Sequence, residues 1–155
     1  MLANPYTFVM PYVASLLVSL VVMVIAWTRR QVPGVRDYAL VSSFQAISIF
    51  GYIFELLSDD LAAKIFWDDL QWLGFSGIVV FFALFALRFS QHPLREDRRL
   101  QVVLYVVPLV FLALVATNGA HGLVHHDEVL IPGSPFSILD YAFTPTVWGF
   151  AIFSY

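Results

Sequence analysis

Residues 6–30 read YTFVMPYVASLLVSLVVMVIAWTRR, an apolar run from Tyr6 to Thr28 with no charged side chain, closed by Arg29 and Arg30. A helix crosses the hydrocarbon core of a bilayer with about 20 apolar residues, and this run exceeds that length. It does not have the form of a cleavable signal. Met1 to Pro5 hold no basic residue, the apolar run is too long for a signal core, and two arginines rather than a small-residue cleavage motif end it. The stretch is therefore a spanning helix, and the rest of the chain is read outward from it.

Three more segments reach the same length. Tyr38 to Leu57 is interrupted only by Gln45 and closes on Glu55. Leu70 to Phe89 follows a polar first turn with Lys64, Asp68 and Asp69, which predicts a helix over 64–89. Leu100 to Asn118 is the fourth. A fifth helix starts near Phe143, but from there to Tyr155 a helix rises only about 20 Å, short of a roughly 30 Å core. The sequence thus reads as one membrane domain over 1–155, interrupted within its fifth helix. Composition agrees: 60% of the 155 residues are hydrophobic and 12% charged, mean hydropathy is +0.81, and soluble domains carry about a quarter charged residues. A chain this size has too little interior to hide so much apolar surface.

Orientation follows from the basic residues, which favour the cytoplasmic side. Arg29, Arg30 and Arg36 flank the first link and Arg88, Arg95, Arg98 and Arg99 the third; the opposite side has only Lys64. The expected fold is all-α: a polytopic helical bundle of four complete spans plus the start of a fifth, N-terminus outside. The first link contains the turn signal Pro33-Gly34. The second, Ser58 to Ala63, is short enough for a tight antiparallel hairpin. The link from Gly119 to Ala142 is long, holds three histidines and the turn elements Ile131-Pro132-Gly133-Ser134-Pro135, and reads as a loop.

Polar residues in the membrane carry the functional argument. Gln45, Ser48, Tyr52, Glu55 and Asp59 are spaced by three and four, so they share one face of the second helix; Lys64, Asp68 and Gln71 continue the pattern on the third. Glu55 and Gln71 are the deepest, and such groups normally face the bundle or a wet cavity. Asp59, Asp60, Asp68 and Asp69 also fit ordinary ion pairing with Lys64 at headgroup depth, where pairs contribute little. His121 and His125 stand four apart with His126 adjacent, a spacing that suits Zn²⁺ or Cu²⁺, but no fixed third ligand accompanies them. No metal site is assigned, with His121, His125 and His126 the residues one would use. Haem between paired histidines is rejected, because His92 belongs to the opposite side. No cofactor is expected. Without cysteine there is no disulfide, thiolate metal site or thiol catalysis. Gly-x-Ser-x-Gly, phosphate-binding Gly loops and His-Glu-x-x-His are missing, as is any basic, aromatic-interleaved patch for nucleic acid. Trp67, Trp72, Phe81, Phe82 and Phe85 read as lipid contacts and interface anchors. The small residues Gly74, Gly77, Ser15 and Ser19 suit close helix contact.

The run Gly51 to Gly74 includes Tyr52, Glu55-Leu56, Ser58-Asp59-Asp60, Lys64, Trp67, Gln71 and Gly74. It resembles the N-terminal seven-helix membrane region of bacterial and archaeal sensor histidine kinases, which share an aromatic second helix closing on Glu-Leu, then Ser, a short acidic link, Lys, Trp, Gln and Gly. Phe85-Ala86-Leu87-Arg88, Ala116-Thr117-Asn118 with His121-Gly122-Leu123, and Trp148 to Tyr155 are similar in the same order. The resemblance implies a signal-input module of a two-component system in the cell (plasma or inner) membrane. Its partners would be lipid, the cytoplasmic signalling domains of a parent chain or partner protein, and a second copy in a homodimer. Tyr52, Glu55, Asp68, Gln71, Asn118 and His121 are its candidate ligand-binding residues. The sequence departs from the family pattern in lacking helices 6 and 7, the phosphoacceptor segment and the ATP-binding segments, so this polypeptide itself is not expected to be a kinase. The competing expectation is a small membrane redox or ion- or proton-coupled transport subunit that uses the outer carboxylates or histidines.

Overall fold

Each expected span forms a helix, and the residues that end it explain where it stops. The computed structural model describes residues 5–155. Helix α1 runs Pro5–Thr28. The chain then turns through Gly34, whose φ of +81° is a left-handed conformation open to glycine, into α2 at Val35–Leu57. Asp60 accepts the Ala63 backbone N–H at 3.0 Å and so caps α3, Leu61–Phe89. A 3-10 turn over Pro93–Glu96 leads to Asp97, which accepts the Arg99 N–H at 2.8 Å and opens α4, Arg98–Ala116. Compared with the sequence expectation, α2, α3 and α4 begin earlier because these turns and caps lie further upstream.

The segment after α4 differs most from its expectation as a loop. Thr117 ends α4, and Asn118–His121 form a single turn, α5, closed by Gly122 at φ +60°. His125–Ile131 (β1) and Ile138–Phe143 (β2) then pair antiparallel, Ile131 opposite Ile138 and His125 opposite Phe143, with a bulge between His126 and Val129. The turn elements Pro132 to Pro135 are the tip of this hairpin. The fifth helix, α6, spans Pro145–Ser154, with Thr144 as its cap and Pro145 in its first turn.

Helix α2 packs against both α1 and α3, and α4 against α3. The α2–α3 approach is close because two glycines permit it. A Cβ on Gly74 would meet Ser48 Oγ and the Phe44 backbone, and one on Gly77 would meet the Phe44 ring. At one end of this pair the buried Asp37, 3% exposed, accepts a hydrogen bond from the Arg88 guanidinium. At the other end Lys64, fully buried, donates to the Glu55 carbonyl at 2.7 Å and so caps the C-terminus of α2. Phe111, Val115, Val124, Val147 and Phe150 form a second core that seats α6 against α4, with Phe111 and Phe150 stacked at 4.0 Å. Of the expected small-residue contacts in α1, Ser19 is buried and Ser15 is exposed.

The four long helices have mean hydropathies of 2.5, 1.6, 2.0 and 2.2 in their most apolar stretches, and at most 28% of any such stretch is buried within the protein. Met10, Leu17, Val21 and Leu109 are among the side chains left outward. Surfaces of this kind are stable against lipid rather than water. The chain is a multi-pass membrane protein with an all-α bundle carrying one short hairpin.

Candidate functional site

The end of the bundle opposite the arginines brings α2, α3 and the hairpin together. The tight α2–α3 link sets Glu55 beside Gln71, whose Nε2 donates to Glu55 Oε2 at 2.8 Å. Ser48 Oγ donates to the Gln71 carbonyl at 3.2 Å. Tyr141 of β2 donates from its hydroxyl to Asp68 Oδ2 at 3.1 Å, and Ser137 donates to the Ser58 carbonyl at 3.4 Å. The hairpin therefore closes over this end of the bundle.

One turn of backbone seats the histidine beneath it. Asn118 is buried; its Nδ2 donates to the His125 carbonyl at 2.8 Å and its Oδ1 accepts the Val124 N–H at 2.8 Å. His125 is 2% exposed and stacks on Tyr141 with ring centroids 4.7 Å apart. Its Nδ1 meets Glu128 Oε1 at 2.8 Å and its Nε2 faces Asp69 Oδ1 at 3.7 Å. The second distance is too long for a hydrogen bond, and both Asp69 Oδ1 and His125 Nε2 are buried without a hydrogen-bond partner. The Asp69 carboxylate pushes the His125 pKa above its ordinary value; burial opposes this and Glu128 adds to it. Burial, then the Asp68 carboxylate, raises the Tyr141 phenol far above its usual range.

Asp68 and Gln71 also border a cavity of about 510 Å³, open on one side and walled by Trp72, Phe75, Val147 and Phe150. Its chemistry is that of a ligand site: a mostly apolar, aromatic wall with a few convergent polar groups. Of the expected ligand residues, Asp68 and Gln71 border this cavity, and Glu55 is joined to it through its hydrogen bond with Gln71. Tyr52 does not join them; its ring packs edge-on against Tyr12 of α1 at 4.8 Å. Asn118 is committed to holding the start of β1. His121 is exposed, with Nε2 2.9 Å from Thr117 Oγ1. The three clustered histidines do not converge either, since His126 is exposed and pairs with Asp127. Instead, donor atoms of Asp68, Asp69 and His125 lie within 4.8 Å of one another. Tyr141 and Glu128 join the group only through the hairpin, which carries Tyr141 to Asp68 and holds Glu128 against His125.

Spans, hairpin and a polar pocket at one end define a multi-pass membrane bundle. A family model for the N-terminal 7TM region of histidine kinase matches residues 11–155, and the chain belongs to that family. No curated protein and no solved structure matches the chain.

Proposed function

We propose that the chain is a membrane-embedded signal-input module of a histidine-kinase-type protein. It would reside in the plasma or inner membrane, pass its state to cytoplasmic signalling domains of the same chain or a partner, and work as a homodimer. The hairpin end faces outside, and the basic links face the cytoplasm. The observation that carries the reading is Asp68 and Gln71 bordering the aromatic cavity, with Glu55 hydrogen-bonded to Gln71, in a chain of the kinase-associated family. Intramembrane ionisable groups that face a cavity mark functional sites.

Transport of protons or ions is less well supported. Below the carboxylates the α2–α3 interface is closed by Gly74 and Gly77 against Phe44, with Phe44 stacked on Phe81 at 5.5 Å.

Kinase output is the test. The region is joined in cells to a cytoplasmic dimerisation and kinase core, and reporter phosphorylation is followed. Glu55→Ala and Gln71→Leu are expected to shift basal output several-fold with membrane insertion intact, while His121→Ala leaves it unchanged. Output that ignores both pocket variants overturns the proposal.

A further inference from the structure

We infer that Asp68, Asp69 and His125 form a site for one divalent transition-metal cation of the Zn²⁺ class, held between α3 and the hairpin. Imidazole and carboxylate are ordinary Zn²⁺ ligands, and residues 68 and 69 meet residue 125 only because β1 folds back onto α3. Metal–ligand bonds of about 2.0–2.2 Å in a tetrahedron put neighbouring donor atoms roughly 3.3–3.6 Å apart. Asp69 Oδ1 and His125 Nε2 stand 3.7 Å apart, and the third donor lies within 4.8 Å of both, so a modest turn of Asp68 completes the set. Tyr141 occupies only Oδ2 of Asp68.

The hydrogen bonding of the histidine is the independent observation. Two groups meet Nδ1: Glu128 Oε1 at 2.8 Å and Asn118 Nδ2 at 3.2 Å; Asn118 Nδ2 donates at shorter range to the His125 carbonyl, so the nearer carboxylate takes the ring proton on Nδ1. That leaves the Nε2 lone pair directed at the Asp69 carboxylate, two acceptors face to face and both without partners. Buried polar atoms nearly always have partners, so a cation belongs between them. A carboxylate on the outer nitrogen is also the arrangement that orients metal-bound histidines and raises their basicity. Asn118 and the Tyr141 ring hold His125 in place before any ion arrives. Three protein ligands leave a fourth position for water or a ligand, and Asp68 borders the aromatic cavity. The inference stands whether or not the region conveys a signal.

The competing occupant is a proton, which would make His125 an imidazolium bridging Asp69 and Glu128. Calorimetric titration of Zn²⁺ into the full chain in lipid nanodiscs separates the two, with Co²⁺ visible absorption reporting nitrogen and oxygen ligation. The expected result is saturable binding of one ion per chain. Asp69→Asn and His125→Ala should weaken it by about 100-fold or more, and Glu128→Gln by about 10–100-fold. His121→Ala and His126→Ala should leave it unchanged. If His125→Ala fails to fold, the near-isosteric Asp69→Asn decides the matter. No saturable binding by the unaltered chain, the outcome for a proton alone, overturns the inference. So does binding that survives Asp69→Asn and disappears in His121→Ala.

Discussion

Replacing Arg88 with methionine removes the one side-chain hydrogen-bonding partner, among the described residues, of a carboxylate on a residue that is 3% exposed, that of Asp37. Breaking a buried ion pair from one side costs about 3–5 kcal/mol, because the remaining charge stays desolvated. Two features reduce this. The Arg88 side chain is 40% exposed, so water enters where it leaves. Asp37 also lies in the first turn of α2, where the helix dipole favours an anion by about 0.3–1 kcal/mol. Arg88→Met should therefore cost about 2–3 kcal/mol. Asp37→Asn, which removes the buried charge itself, should cost less, and the double variant should fall near Asp37→Asn alone. Unfolding by SDS titration in mixed micelles, followed by tryptophan fluorescence, measures all three. The expected coupling exceeds about 1 kcal/mol. A loss below about 0.5 kcal/mol for Arg88→Met, the level of an ordinary surface change, would refute the reasoning, as would single effects that simply add.

Gly74→Val should destabilise the bundle by about 3 kcal/mol, the upper part of the overpacking range, because its Cβ meets the Phe44 backbone; Gly119→Val, with open space around it, should be nearly silent in the same titration. Asn118→Ala leaves the Val124 N–H and the His125 carbonyl without their Asn118 partners, a loss of about 2–6 kcal/mol at 1–3 kcal/mol each, read as faster proteolysis within the hairpin; unchanged cleavage would exclude Asn118 as its anchor. A thiol placed by Gly133→Cys should react with an impermeant reagent on intact cells, whereas Pro33→Cys and Pro93→Cys should react only after permeabilisation. External reaction at position 33 would invert the topology.

The four spans were legible because lipid imposes a length and an apolarity that few other environments demand, and the α2–α3 contact because Glu55 and Gln71 lie on facing stripes next to a short link. The hairpin was not. His125–Ile131 begins with two histidines and an aspartate at a bulge, so the alternation that marks a strand is broken where it would be sought. The histidine cluster accordingly read as local, with His121 and His126 in place of the distant Asp68 and Asp69. Asn118 was singled out by motif, yet its burial assigns it to holding backbone. Trp72, which read as a lipid contact, lines the cavity with Phe75 because α6 returns against α3, a long-range event that no local pattern encodes.

Helices α2 and α3 are tied at both ends: by Asp37 and Arg88 at one, and by Glu55 with Gln71 and Lys64 at the other. From residue 37 to residue 55 an α-helix rises about 27 Å, nearly the depth of the hydrocarbon core. Sliding one helix past the other by a turn, about 5.4 Å, would break both ties at once, with the glycine contacts between them. The pair is thus built to tilt as a single strut. A push from the hairpin on the Glu55 end would emerge at the arginine end as a swing of opposite sense, with α1 and α4 as the bearings.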